Sequence, residues 1–201
     1  MSRQEHWNAV YTRKAASDVS WFQPEATLSL ELIRAAQLPS TASILDVGAG
    51  ASTLVDGLHA NGWSDITLLD LAHSALAMTR ARVGDDRIHY EIADITAWQP
   101  KRRYDLWHDR AVFHFLTSES DRDAYRAVLS QAIPSGGHVV IATFADDGPV
   151  RCSGLPVQRY SATELVNEFG SLLRPMETRR QSHMTPGGSE QRFVFVRFKR
   201  I

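Results

Sequence analysis

Ile44-Leu45-Asp46-Val47-Gly48-Ala49-Gly50 reads as a buried strand that breaks into a glycine turn, and a helical pattern over 51–58 follows at once. Glycines at such a junction permit a tight turn and bring bare backbone, with no Cβ in the way, up to whatever lies beyond the strand end. Working outward, apolar strand-like runs at 66–69, 88–92, 104–108 and 138–144 alternate with helical patterns, among them an amphipathic stretch at 121–132. Strands separated by helices imply parallel pairing with right-handed crossovers. Upstream, Leu28, Leu32, Ile33 and Ala36 recur at helical spacing and predict a helix that packs on the sheet and ends near Pro39. Downstream the alternation changes. Ser161-Ala162-Thr163-Glu164 is a capping-box pattern opening a short helix that runs to Gly170. Two extended segments follow, 172–183 and 192–199, joined by a loop with Pro186-Gly187-Gly188 and no helix, so they run antiparallel. Residues 192–198 are apolar on both faces in their middle, as expected of a strand inside a covered sheet. The fold class expected is α/β, a Rossmann-like three-layer sandwich.

A chain of 201 residues, 43% hydrophobic, can bury one substantial core and is near the size of one domain. Lys+Arg 22 against Asp+Glu 23 leaves a formal net charge of -1, so neither nucleic acid nor an anionic membrane is an expected partner. The clusters Lys101-Arg102-Arg103 and Arg179-Arg180 are better explained as solvated faces. The N-terminus lacks an apolar signal region and no apolar run approaches bilayer length, which predicts a soluble protein. Cys152 is the single cysteine, which excludes an intramolecular disulfide and makes a reducing, cytoplasmic setting the default. His108, His114, Cys152 and His183 show no recognised short metal-binding spacing, so no metal site is expected.

Asp70 ends the second strand 20 residues beyond Gly50, where a carboxylate can accept hydrogen bonds from both hydroxyls of a ribose. Glycine turn and distant acid together point to an adenosine-containing ligand. The plainer alternative is a strand-to-helix turn that needs glycine for packing, with Asp70 capping the next helix. The third glycine of a dinucleotide fingerprint is replaced by Thr53, which disfavours a nicotinamide cofactor.

Residues 44–50 resemble the first motif of the class I S-adenosylmethionine-dependent methyltransferases, and the resemblance extends from about Ser43 to the C-terminus. The turn Pro134-Ser135-Gly136-Gly137 before the fifth strand also resembles that family. The resemblance implies a seven-stranded, mostly parallel sheet with an antiparallel last strand. It implies one methyltransferase domain over 1–201: an N-terminal arm and helix at 1–40, a cofactor-binding core at 43–145, and substrate-side loops and final strands at 146–201. It further implies that S-adenosylmethionine, leaving as S-adenosylhomocysteine, contacts Gly48, Ala49 and Gly50 with its methionine part, that Asp46 reaches its amino group, and that Asp70 holds the ribose. Leu71 would touch the adenine and Asp94, followed by Ile95, would receive its exocyclic amine; an N-cap of residues 95–98 is the alternative for Asp94. Trp7, Tyr11 and Trp21-Phe22 resemble the N-terminal region of the small methyltransferases that modify lysines of elongation factor 1A. Those proteins carry Asp-Lys-Gly-Thr after the fourth strand, and the stretch 108–114 keeps only Asp109 of it; Asp109-Arg110 is also similar to the Asp-Arg-Gly of thiopurine methyltransferases.

Methyl transfer from a sulfonium is an in-line displacement, which needs alignment and exclusion of water more than any single catalytic group. The candidates for orienting the acceptor or taking a proton are Asp109, His108 and His114, placed together at the C-terminal edge of the sheet. The bland reading has Asp109 pairing with Arg110 or capping the next helix and His114 as a hydrogen-bonded core residue. Trp21, with Trp7, Tyr11 and Phe22, forms either a lid over the cofactor or an ordinary apolar patch. A small-molecule acceptor is expected, with a protein lysine as the second reading and a non-catalytic cofactor-binding module as a remote third.

Overall fold

The computed structural model describes residues 2–201. Five parallel strands, β1 (Ser43–Val47), β2 (Asp65–Asp70), β3 (His89–Ile92), β4 (Leu106–Arg110) and β5 (His138–Phe144), are linked through helices α3 (Leu54–Ala60), α4 (His73–Val83) and α5 (Glu119–Ala132). Two two-residue strands, β6 (Arg151–Cys152) and β7 (Leu155–Pro156), make a small hairpin apart from the main sheet. The chain ends in the long pair β8 (Leu173–Met184) and β9 (Glu190–Arg200). Sheet order is β3-β2-β1-β4-β5-β9-β8. Only β9 is reversed, antiparallel to both β5 and β8, which gives the seven-stranded sheet with its antiparallel last strand that the sequence led us to expect.

Strands β1, β2, β4, β5 and the middle of β9 are buried on both faces, and the period-two alternation of their side chains sorts them into two cores. Leu45, Trp107, Val139, Ile141, Val194 and Val196 face α5 and α6 (Ala162–Glu168). Ile44, Leu106, Val140, Ala142 and Phe195 face α2 (Thr27–Arg34), α3 and α4. The capping box read at Ser161 and Glu164 forms as expected. β8 is the exposed edge; it carries Arg174, Glu177, Arg179 and Arg180 and a register shift between Pro175 and Glu177, features that discourage another strand from pairing there.

One element was not legible as a helix. Residues expected only as an arm form α1 (Arg3–Arg13), capped by reciprocal bonds between Ser2 and Glu5. It lies against the start of α4, where the Asn8 side chain accepts from the Ser74 backbone at 3.2 Å and Gln4 donates to the Leu71 carbonyl at 3.2 Å. Strand order reverses between β1 and β4, and the crevice at such a switch point, beyond the C-terminal strand ends, is where ligands settle in open α/β sheets. Here α1 roofs that crevice. Among the described residues no helix is long and apolar enough to cross a membrane.

Candidate cofactor and acceptor site

A partly open cleft lies over the switch point. Its floor on the β1–β3 side is Gly48, Asp70, Leu71, Asp94 and Ile95; on the β4–β5–β9 side it is Arg110, Phe144, Cys152 and Phe193. Trp7 and Trp21 close the top, with ring centroids 5.7 Å apart and edge to face, and Trp7 packs on Phe115 at 5.0 Å. A smaller cavity beside it is lined by Asp46, Ala49, Ser52, Thr53 and His108 and shares Gly48, Trp21 and Arg110 with the first.

The glycine turn has the backbone its sequence suggests. Gly48 has φ +68°, and a Cβ there would fall 2.0 Å from the Val112 side chain; Gly50 has φ +51°, and a Cβ there would meet the Tyr11 hydroxyl at 2.4 Å. Gly50 itself does not line the cleft; its N–H donates to Asp70 Oδ2 at 2.8 Å and so fixes the carboxylate. Asp70 Oδ1 accepts from the Ala72 N–H at 2.7 Å, which is the helix-start role weighed as the plainer alternative. Each oxygen still has a lone pair to offer. Burial, with no cation beside it, pushes this carboxyl up to about 6.

Asp94 takes the local capping role that was the alternative for it. Its Oδ1 accepts from the Thr96 backbone and hydroxyl at 2.9 and 2.7 Å, while the residue lines the cleft. Asp46 is 3% exposed and bonds His108 Nδ1 through Oδ1 at 2.7 Å, with the smaller cavity at its other side. Trp21 donates from Nε1 to the Tyr11 hydroxyl at 3.3 Å.

The three residues expected to gather as catalytic groups are dispersed, because successive residues of β4 point to opposite faces. His108 lies below the smaller cavity and ties α2 to β1, with Nε2 2.8 Å from Ser29 Oγ. Asp109 is fully buried on the other face. Its Oδ1 accepts from the Val112 N–H at 2.8 Å, and its Oδ2 accepts from the Phe113 N–H at 3.0 Å and the Tyr125 hydroxyl at 2.7 Å. It does not pair with Arg110; it caps the turn 113–115. His114 is fully buried, stacks on Phe144, and accepts from the Phe144 N–H at 3.2 Å. Burial first, and Arg110 second, push His114 down to about 3, so it is neutral at physiological pH and lines neither cavity. His183 is taken by the Ser20 carbonyl at 2.8 Å. Among the described residues no group of three His, Cys, Asp or Glu side chains converges as metal ligands. The basic clusters are spent locally: Arg102 pairs with Asp65, Lys101 with Glu91, and Arg180 with Asp146 and Asp147.

One residue went unread as a site residue: Arg110, noted only beside Asp109. Cys152 is 5% exposed at the wall of the cleft, with its thiol pushed up to about 11 by burial. A signal for Arg110 was available in the alternation of β4, since a charge at the last position of an interior strand must end near the crevice.

Residues 44–137 match the family model described as a methyltransferase domain. The chain is 24% identical over 107 residues to a malonyl-[acyl-carrier protein] O-methyltransferase 2 of Ilyobacter polytropus, covering 52% of this chain and 40% of that one. It is 25% identical over 162 residues to the mouse EEF1A lysine methyltransferase 2, covering 71% of this chain and 66% of that one. The chain thus spans less than two thirds of each of these relatives. A solved structure of 1,6-didemethyltoxoflavin-N1-methyltransferase from Burkholderia thailandensis, with 1,6-didemethyltoxoflavin and S-adenosylhomocysteine bound, superposes with a TM-score of 0.70 at 20% identity, over 95% of this chain and 80% of that one. The fold is the one shared by class I S-adenosylmethionine-dependent methyltransferases, and residues 44–137 match the methyltransferase-domain model.

S-adenosylmethionine is the cofactor of that class, and the residues present fit it. A carboxylate held by two backbone N–H groups keeps two lone pairs for a vicinal diol, and Gly48 lines the same cleft with backbone that carries no side chain. Leu71 and Ile95 add apolar surface on that side of the cleft.

Proposed function

We propose that the protein is an S-adenosylmethionine-dependent methyltransferase acting on a small molecule. The observation that carries this reading is the division of one cleft into a half built around Asp70 and Gly48 and an apolar half walled by Phe144 and Phe193. The methyltransferase-domain match supports the first half of the proposal. The likeness in fold to the toxoflavin-precursor enzyme is compatible with the second.

Bound S-adenosylmethionine supplies a methyl group on a sulfonium, which an acceptor lone pair takes while the carbon–sulfur electron pair stays on sulfur. The chain's part is to position and to dry the site. Asp70 holds the ribose, Asp46 lies at the methionine end, and Leu71, Asp94 and Ile95 take the adenine. Trp7 and Trp21 exclude water from the crevice, which strengthens every charge interaction inside it. Asp109 is assigned a positioning role: it fixes the 111–115 segment that carries Val112 and Phe115 to the cleft. No histidine lines the main cleft, so His108 and His114 are assigned to the scaffold.

A protein lysine acceptor is the second reading, favoured by the identity to the EEF1A lysine methyltransferase across 71% of this chain. Incubation with methyl-labelled S-adenosylmethionine and a cell extract, then separated into protein, nucleic acid and small-molecule fractions, tests both. Label is expected among small molecules and absent with Asp70→Ala. Label on protein would overturn the acceptor assignment, and no label from a chain that binds S-adenosylhomocysteine would overturn the activity.

A further inference from the structure

We propose that Arg110 is the recognition group for an acceptor that enters the cleft as a small apolar anion, a carboxylate, phenolate or thiolate. The proposal rests on the reading of this cleft as a methyl-transfer site and names the chemical class that the site takes.

Arg110 stands at the end of β4, where Ala111 turns the chain with φ +76°. Its guanidinium lies over the Phe193 ring, 4.6 Å from the centroid, and Nη1 donates to the Trp21 carbonyl at 3.0 Å. Nε and Nη2 are shut off from water and have no partner among the described residues. No carboxylate pairs with this cation; the only acidic group near it is the Cys152 thiol, which burial keeps protonated. The arginines on the surface are different, as Arg102, Arg126 and Arg180 each pair with a carboxylate. A buried cation without an anion is strongly unfavourable, and such a group is retained where a ligand completes it. The charge makes itself felt locally, since Arg110 helps to hold His114 and His183 in their neutral forms.

Arg110 lines the cleft in the half away from Asp70. Its neighbours there are Phe144, Cys152 and Phe193, so a ligand would meet aromatic faces with one cation among them. That combination suits a flat or apolar acid, and the planar fork of arginine matches a carboxylate in two bonds. The site also lacks a cleft-facing histidine, and its carboxylates, Asp70 and Asp94, sit in the cofactor half. An acceptor that arrives ionised needs no base. Its lone pair forms the new bond to the methyl carbon, the carbon–sulfur pair leaves on sulfur, and the negative and positive charges cancel with no proton to move. Arg110 favours the ionised form of the acceptor. The methionine carboxylate of the cofactor is the other source of the same chemistry, because Arg110 also borders the smaller cavity; the contacts with Phe193 and Cys152 favour the acceptor.

The test is calorimetric titration of the chain, saturated with S-adenosylhomocysteine, with two acid and amide pairs: benzoate against benzamide and phenylacetate against phenylacetamide. At least one acid is expected to bind tenfold or more tighter than its amide. Arg110→Met is expected to abolish that preference, Arg110→Lys to keep part of it, and the affinity of Arg110→Met for S-adenosylhomocysteine to change less than twofold. Acids and amides that bind alike, or not at all, would overturn the proposal without any variant having to fold. A tenfold loss of S-adenosylhomocysteine affinity in a folded Arg110→Met, with anion binding unchanged, would overturn it in favour of the cofactor carboxylate. Should the wild-type chain fail to bind S-adenosylhomocysteine, the methyltransferase reading falls, while the same titrations on the free chain still decide the anion site.

Discussion

Replacing Asp109 removes the acceptor that holds the turn after β4. Its two oxygens take three donors, Val112 N–H, Phe113 N–H and the Tyr125 hydroxyl, in a site with no access to water. In Asp109→Asn the amide can present its oxygen to one side only, so at least one backbone N–H loses its partner, a loss of about 2 kcal/mol. Asp109→Ala strands all three donors and is expected to lose about 4 kcal/mol, a large part of a typical domain's stability. The pH dependence gives a second, independent reading. Burial pushes Asp109 up to about 6, above its value in the unfolded chain. The folded chain therefore holds a proton that the unfolded chain releases, and the resulting stability is full below the unfolded pKa and lost as pH rises through 6. Going from pH 7 to pH 5 adds on the order of 1 kcal/mol through this one group in the wild type and nothing in the asparagine variant. Urea denaturation followed by circular dichroism at both pH values measures each quantity. An asparagine variant within about 0.5 kcal/mol of wild type at pH 7, with the same change on acidification, would refute the positioning role.

Gly48→Ala introduces a Cβ 2.0 Å from Val112 at a φ of +68°, so the turn or the 111–115 segment has to shift; S-adenosylhomocysteine affinity should fall at least about tenfold by calorimetry, while stability changes by about 1–2 kcal/mol. His114, with its pKa pushed down to about 3, should show no imidazole titration by NMR between pH 7 and pH 5. Because the unfolded chain does protonate this histidine, the same interval removes on the order of 2 kcal/mol of stability through it, opposite in sign to the Asp109 contribution.

Much of the fold was legible because β1, β2, β4 and β5 are buried on both faces and announce themselves as apolar runs. β8 and β9 were readable as an antiparallel pair because a short glycine loop leaves no room for a crossover. α1 escaped because only Tyr11 of its eleven residues is buried, which leaves no apolar stripe to count, and β6 and β7 are two residues each, below the length at which alternation exists. In the site, Asp70 was placed by its position at a strand end, which the alternation locates well, whereas Leu71, Asp94 and Ile95 came from the resemblance. Grouping His108, Asp109 and His114 followed their closeness in sequence, and the two-residue period of β4 sends the first two to opposite faces. The end of β4 marks Arg110 as near the crevice, but its place over the ring of Phe193 comes from the far end of the chain and has no local signal.

The central claim is that Asp70 and the turn at Gly48 form a site for S-adenosylmethionine, and titration calorimetry with S-adenosylhomocysteine on wild type and Asp70→Ala tests it most directly. The account predicts a one-to-one complex with the wild type and an affinity more than about tenfold lower in the variant, the loss expected when a charged hydrogen-bond acceptor is removed. No binding by the wild type, or equal affinities in the two proteins, would contradict it.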